Sequence, residues 1–218
     1  MVVLVENPQT RQHTALLTLQ IRECVEKAGI GLVDLDAVAL SSGPGGYTAL
    51  RVGASVAKGI CYALQKPLIA VDTLWALARA SLRSLEQGQG ANLVLTPMLD
   101  ARRQEVWLAA YDLEMRELVK AEPLIFENNS FEIWLKTRVG AEGFVPVLSG
   151  NGMEKTRTGN FFSNLIYSKV SDCSAAFLAE TAEDKFQKAD FQDVAYFEPF
   201  YMKPPNITTP GPGLLGGK

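Results

Sequence analysis

The residues best placed to do chemistry in this 218-residue chain are the glycines of one turn, Gly43, Gly45 and Gly46, followed at once by Tyr47 and Thr48. Glycine can take positive φ, so such a turn can aim several backbone N–H groups at one anion. A helix starting there adds the positive end of its dipole. The chemistry would be binding of a nucleotide or another anion, with Gly43, Gly45, Gly46 and Thr48 as contacts. The stretch SGPGGYTALRVG lacks the G-K-S/T ending of a Walker loop. The competing reading is a tight strand-to-helix turn, fixed by Pro44, with Thr48 helping to satisfy the first helix N–H groups.

The other chemistry is sparse. His13 is the single histidine, so a histidine-rich zinc site or a metal-binding histidine pair cannot be assembled. Cys24, Cys61 and Cys173 form no C-x-x-C pair, and no G-x-S-x-G elbow occurs. An odd cysteine count without a recognisable secretory leader predicts free thiols and a cytoplasmic protein. The turn Asp100-Ala-Arg-Arg-Gln-Glu105 is dense in charge. Asp100 or Glu105 is expected to pair with Arg102 or Arg103 across a hairpin, or the arginines to meet a phosphate or a partner. Asp72 ends an apolar run and suits the N-cap of the helix that follows. A net charge of −3 sets up no global basic field for nucleic acid. No apolar run reaches the roughly 20 residues that cross a bilayer.

The elements that must position these residues fall into two parts. In the first, 1–5 is strand-like. A helix is predicted over 10–28 from Leu17, Ile21, Val25 and Ala28, stopped by Gly29. Strands follow at 37–40 and 67–71, and helices at 47–64 and 74–85. Glycines at 88 and 90 break the pattern. The second part reads as strands at 93–99, 105–111 and 118–126, a helix at 131–138, a strand at 145–149 and a glycine turn at 150–152. A strand at 165–169 and a helix at 175–189 complete it. This predicts an N-terminal lobe over 1–90, a C-terminal lobe over 91–203 and a disordered Pro/Gly-rich tail over 204–218. The second part is βββαβαβα. The first is βαβαβα, which matches if two strands are lacking at its start. A duplicated βββαβαβα unit is the α/β plan of the actin/sugar-kinase/Hsp70 fold. The alternative is an ordinary doubly wound sheet.

The helix predicted over 47–64 has almost no polar face. Ala49, Gly53, Ala57 and Cys61 make one stripe at i, i+4 spacing, and Val52, Val56, Ile60 and Leu64 make another. Arg51 and Lys58 are its charges. A surface helix needs a polar half. One side of this helix can face its own sheet; the other faces either the 10–28 helix or a partner. The candidate interface is His13, Leu17, Tyr47, Leu50, Arg51, Gly53, Ala54, Ala57, Lys58 and Cys61. On this reading, Gly53→Leu or Ala57→Arg blocks close approach.

These residues resemble a known family. GPGGYTALRVG at 43–53 is similar to the G-P-G-S-F-T-G-L-R-I-G signature of the TsaB (YeaZ) family. QTRQHTALL at 9–17, AKGICYALQKPLIAVDTLWALA at 57–78, DARRQEVW at 100–107 and FEPFYMK at 197–203 resemble further family stretches, in order along the chain. Gly46 and Ala49 stand where the signature has Ser and Gly. The family opens with two strands that this chain is expected to lack, which leaves the N-terminal lobe short and its backbone unpaired.

The resemblance implies a noncatalytic subunit of the bacterial machinery that makes threonylcarbamoyladenosine, at N6 of adenosine in ANN-decoding tRNA. It implies that the first two helices form a bundle with their counterparts in the catalytic homologue TsaD, or with a second copy of the chain. A TsaE-like ATPase is the further partner, and tRNA is met only through the complex. The complex uses ATP, and weak nucleotide binding by this chain is left open. The alternatives are an actin-fold phosphotransferase, a glycoprotease-like peptidase and a homodimeric structural module.

Overall fold

The computed structural model describes residues 2–7, 13–85, 92–140, 143–157 and 164–202. The predicted tail over 204–218 lies outside the described residues. The apolar 3–4 spacing of the first helix gives α1, His13–Ala28, and Gly29 at φ 71° ends it. Val38–Gly43 forms β1 and Leu68–Asp72 forms β2, paired parallel and connected by α2, Tyr47–Leu64. The Asp72 carboxylate then caps α3, Thr73–Arg83, accepting the Trp75 N–H at 2.7 Å. Capping of this kind contributes about 1 kcal/mol.

The second part builds a five-stranded sheet. Its strands are β3 (Leu93–Asp100), β4 (Glu105–Tyr111), β5 (Glu117–Ile125), β6 (Val145–Ser149) and β7 (Ile166–Tyr167), in the order β5-β4-β3-β6-β7. The antiparallel β5-β4-β3 meander joins the parallel β3-β6-β7 half, as the βββαβαβα reading requires. Along β3 the side chains alternate. Val94 and Met98 point to the face covered by α4 (Ser130–Trp134), among Phe131 and Trp134. Leu93, Leu95 and Leu99 point to the face covered by Leu74, Leu77 and Ala78 of α3. This period of two places two apolar layers on one sheet. The N-terminal sheet is covered by α2 on one face, through Ala54, Ala57 and Cys61. The other face packs on α5 (Ala179–Gln187), through Ala182 and Phe186.

Several sequence expectations shift. The 1–5 run pairs with no strand among the described residues, since an apolar run becomes a strand only where a ladder partner meets it. The 37–40 strand runs on to Gly43, where the register slips and glycine takes φ 105°. The 131–138 helix is a short α-helix that continues as a π-helical turn over Leu135–Val139. The 150–152 turn opens a 3-10 helix, Asn151–Thr156. The 165–169 strand shrinks to β7, and the 175–189 helix starts as a 3-10 turn before α5. Asp100 pairs with Lys155, at 2.6 Å, because the segment after β6 brings that ammonium beside the hairpin.

Candidate partner-binding face

Helix α2 divides into an inner and an outer side. Its inner side carries Leu50, Ala54, Ala57 and Cys61, all buried; the last three pack with Leu40 and Leu68 of their own sheet. Burial raises the pKa of the Cys61 thiol, an effect partly offset by a backbone hydrogen bond with Val38. As the chain is folded, these four side chains are core. Lys58 is also engaged internally: its Nζ donates to the carbonyls of Ala195 and Phe197, each at 3.0 Å, and so ties the C-terminal turn to α2.

The side of α2 turned toward α1 presents Gly53, Val56 and Ile60. Facing them are Leu17, Ile21 and Cys24 of α1. Between the two helices runs an apolar groove of about 550 Å³, floored by Val38, Ala39 and Leu40 of β1. A Cβ placed on Gly53 would meet nothing within 4 Å. Tyr62 stands 83% exposed near the far end of α2. At the near end Tyr47 accepts a hydrogen bond from Arg51 at 2.8 Å and packs on Tyr201, ring centroids 4.9 Å apart. The backbone of His13 opens α1; its side chain lies outside the described residues. Of the candidate interface, then, Leu17, Gly53 and the buried Ala57 line one groove, Tyr47 and Arg51 lie toward the N-terminal end of α2, and Leu50, Ala54 and Cys61 are core.

The glycine turn is packed by its own chain. The Phe200 N–H donates to the Ser42 carbonyl at 2.7 Å, and a Cβ on Gly43 would lie 2.5 Å from the Phe200 carbonyl. The Leu50 side chain would lie 3.5 Å from a Cβ on Gly45. Gly46 is the N-cap of α2; Thr48 is exposed, and no side chain caps the helix. The space beside the turn is therefore filled by a carbonyl and a leucine, which suits a helix-aiming turn. No helix of the described residues is long and apolar enough to cross a membrane.

Sequence reasoning missed one cluster. Asp72, Tyr111 and Glu117 line a cleft on the other side of the N-terminal sheet's end, with Tyr111 and Glu117 directly opposite in the β4–β5 ladder. Burial raises the Asp72 pKa above the usual carboxylate value, opposed by the Trp75 and Leu74 N–H groups and reinforced by the charge of Glu117. Burial likewise raises the Tyr111 phenol, and the charges of Asp72 and Glu117 add to the shift. The Trp75 indole meets the Tyr111 ring edge-on, with centroids 5.5 Å apart, and its own N–H is buried without a partner among the described residues.

A two-stranded parallel sheet and a five-stranded mixed sheet, with α3 packed against both, fit an α/β protein of the actin/sugar-kinase/Hsp70 class whose N-terminal sheet is short among the described residues. The comparisons with known proteins agree. The family profile "TsaD: tRNA N6-adenosine threonylcarbamoyltransferase" matches residues 5–217. The chain is 35% identical over 199 residues to the tRNA threonylcarbamoyladenosine biosynthesis protein TsaB of Haemophilus influenzae, covering 88% of this chain and 80% of that one. It is 34% identical over 101 residues to the TsaB protein of Escherichia coli, which covers 46% of this chain and 42% of that one. A crystal structure from Pseudomonas aeruginosa, described as similar to the peptidase YeaZ, shares the fold with a TM-score of 0.68 at 23% identity. That match covers 88% of this chain and 85% of the other. The chain belongs to the TsaB (YeaZ) family.

Proposed function

We propose that this chain is a noncatalytic subunit of a tRNA threonylcarbamoyladenosine synthesis complex, which binds a TsaD-like transferase through α1 and α2 and holds it in its competent form. The observation that carries the reading is the α1–α2 groove: an apolar channel of about 550 Å³ between two helices, with Gly53 open at its wall. Apolar grooves between helices are the usual seats for a partner's amphipathic helix. A small residue at the wall lets a partner backbone come close. The family match to a transferase profile supports a partner built on the same plan, whose own helices would complete a bundle. In this reading the bond-making groups belong to the partner, and tRNA and ATP are met through the complex.

The test is size-exclusion chromatography of the chain with the TsaD-like transferase of the same organism. Gly53→Leu is the informative variant, because the added side chain meets nothing in its own chain and replaces a poor helix former. Ala57→Arg, which the sequence also suggested, changes a residue that both lines the groove and packs in the core, so it would disturb folding as well as binding. Co-elution of the native chain and its loss in Gly53→Leu is the expected result. A chain that elutes alone, or only as its own dimer, overturns the reading.

A further inference from the structure

The cleft that holds Asp72 and Tyr111 shares no lining residue with the α1–α2 groove. It holds about 690 Å³, and Trp75 and Phe200 are among its walls. Tyr111 is only 3% exposed, yet its hydroxyl makes no hydrogen bond to any described residue, although the side chain lines the cleft. The hydroxyl is therefore free to accept a hydrogen bond from a group bound in the cleft.

The charges around this hydroxyl have a sign. Arg79 is held by Glu180 at 2.6 Å and Asp184 at 3.2 Å, and Lys185 is held by Asp190. Among the described residues this leaves Asp72, Glu117 and Glu198 without an ion pair, against one unpaired cation, Lys188. Burial is the main cause of the upward shifts of Asp72 and Tyr111, and the charge of Glu117 adds to both in the same direction. A metal ion is a poor match, since no group of three or more histidine, cysteine, aspartate or glutamate side chains among the described residues is placed to hold one. A primary ammonium is a better match. It carries three N–H donors, which two carboxylates and a phenol oxygen can accept. Its alkyl part and charge both suit aromatic walls.

We propose that this cleft binds a small organic cation through a primary ammonium group, with Asp72, Glu117 and the Tyr111 hydroxyl as its three acceptors. The site stands apart from the partner-binding reading and survives its failure.

The experiment is calorimetric titration of the full chain with n-butylammonium, with tetramethylammonium as the control that has charge but no N–H donor. Saturable one-site binding of n-butylammonium is expected, with markedly weaker binding of the control. Asp72→Asn and Glu117→Gln should each weaken it about tenfold or more by removing one charge. Asn caps a helix as well as Asp, so Asp72→Asn should leave the melting curve near native. Tyr111→Phe should weaken binding by a smaller factor, and Lys188→Ala should tighten it. No saturable heat, equal binding of tetramethylammonium, or native affinity in Asp72→Asn and Glu117→Gln would overturn the proposal.

Discussion

In the C-terminal sheet β6 is hydrogen-bonded on both sides, by β3 and by β7. Its counterpart in the N-terminal sheet, β1, pairs with β2 on one side; along the other runs the apolar groove. β1 ends in and β6 is followed by a glycine with positive φ, Gly43 at 105° and Gly150 at 82°, and each glycine meets a carbonyl where a side chain would stand. At Gly150 that carbonyl belongs to Met98 of the neighbouring strand β3, while at Gly43 it belongs to Phe200 of the terminal segment. The two sheets thus share one plan with different neighbours. The C-terminal one is finished internally, with β3 buried over seven consecutive positions. The N-terminal one leaves Ala39 exposed in its strand and Leu19 at 46% exposure on α1. Dense burial belongs to the first and an open apolar surface to the second, which is the division the proposed partner-binding role requires.

The sharpest way to break this contrast is a matched pair of truncations. Phe131 is fully buried between α4 and the C-terminal sheet, so Phe131→Ala should cost about 3–5 kcal/mol in urea unfolding. Leu17→Ala, at the half-buried groove wall, should cost less than about 1.5 kcal/mol. Equal costs would mean that the N-terminal layer is as well packed as the other. Amide exchange comes next. The β3 and β6 amides should exchange at least about 100-fold more slowly than those along α1 and β1, since local opening follows local packing. Uniform protection would erase the distinction.

Glycines give a smaller contrast. Gly150→Ala should destabilise by about 2 kcal/mol or more, because its Cβ would run into the Met98 carbonyl at a positive φ. Gly53→Ala should stabilise by up to about 1 kcal/mol, since α2 gains a better helix former in open space. The smallest effect concerns pH. The folded pKa of Asp72 lies above its ordinary 3.8, so protonation favours the native state. Its contribution is fully present below that ordinary value and is lost as pH rises through the raised one. Asp72→Asn should therefore gain on the native chain in melting temperature between pH 3.5 and pH 7. A constant gap would place the carboxylate in water.

Much of this fold was legible in the residues. The 3–4 repeat at Leu17, Ile21, Val25 and Ala28 and the short apolar runs at β1, β2, β3 and β6 mark elements whose period is set locally. Asp72 as a cap follows from side-chain chemistry alone. The succession of elements in the second part was legible, while the order β5-β4-β3-β6-β7 is set by the ladders. What was not legible depended on neighbours. Helix α2 is apolar nearly all round, so its sequence cannot say that Ala54 and Cys61 turn inward while Gly53, Val56 and Ile60 turn to the groove; the sheet decides that. Lys58 looked like an interface charge until the 195–197 carbonyls, far away in the chain, came beside it. The Asp72–Tyr111–Glu117 cluster needs the β4–β5 register and the docking of α3 on the C-terminal sheet, neither of which is written in any short stretch.

The central claim is that the open α1–α2 face receives a partner of the same plan. Its most direct measurement is the dissociation constant between this chain and the TsaD-like transferase of its organism, native against Gly53→Leu, with the variant checked to melt no lower than the native chain. The account expects measurable binding by the native chain and a loss of about 100-fold or more, roughly 3 kcal/mol, in the variant. Equal affinity in the two chains would contradict it.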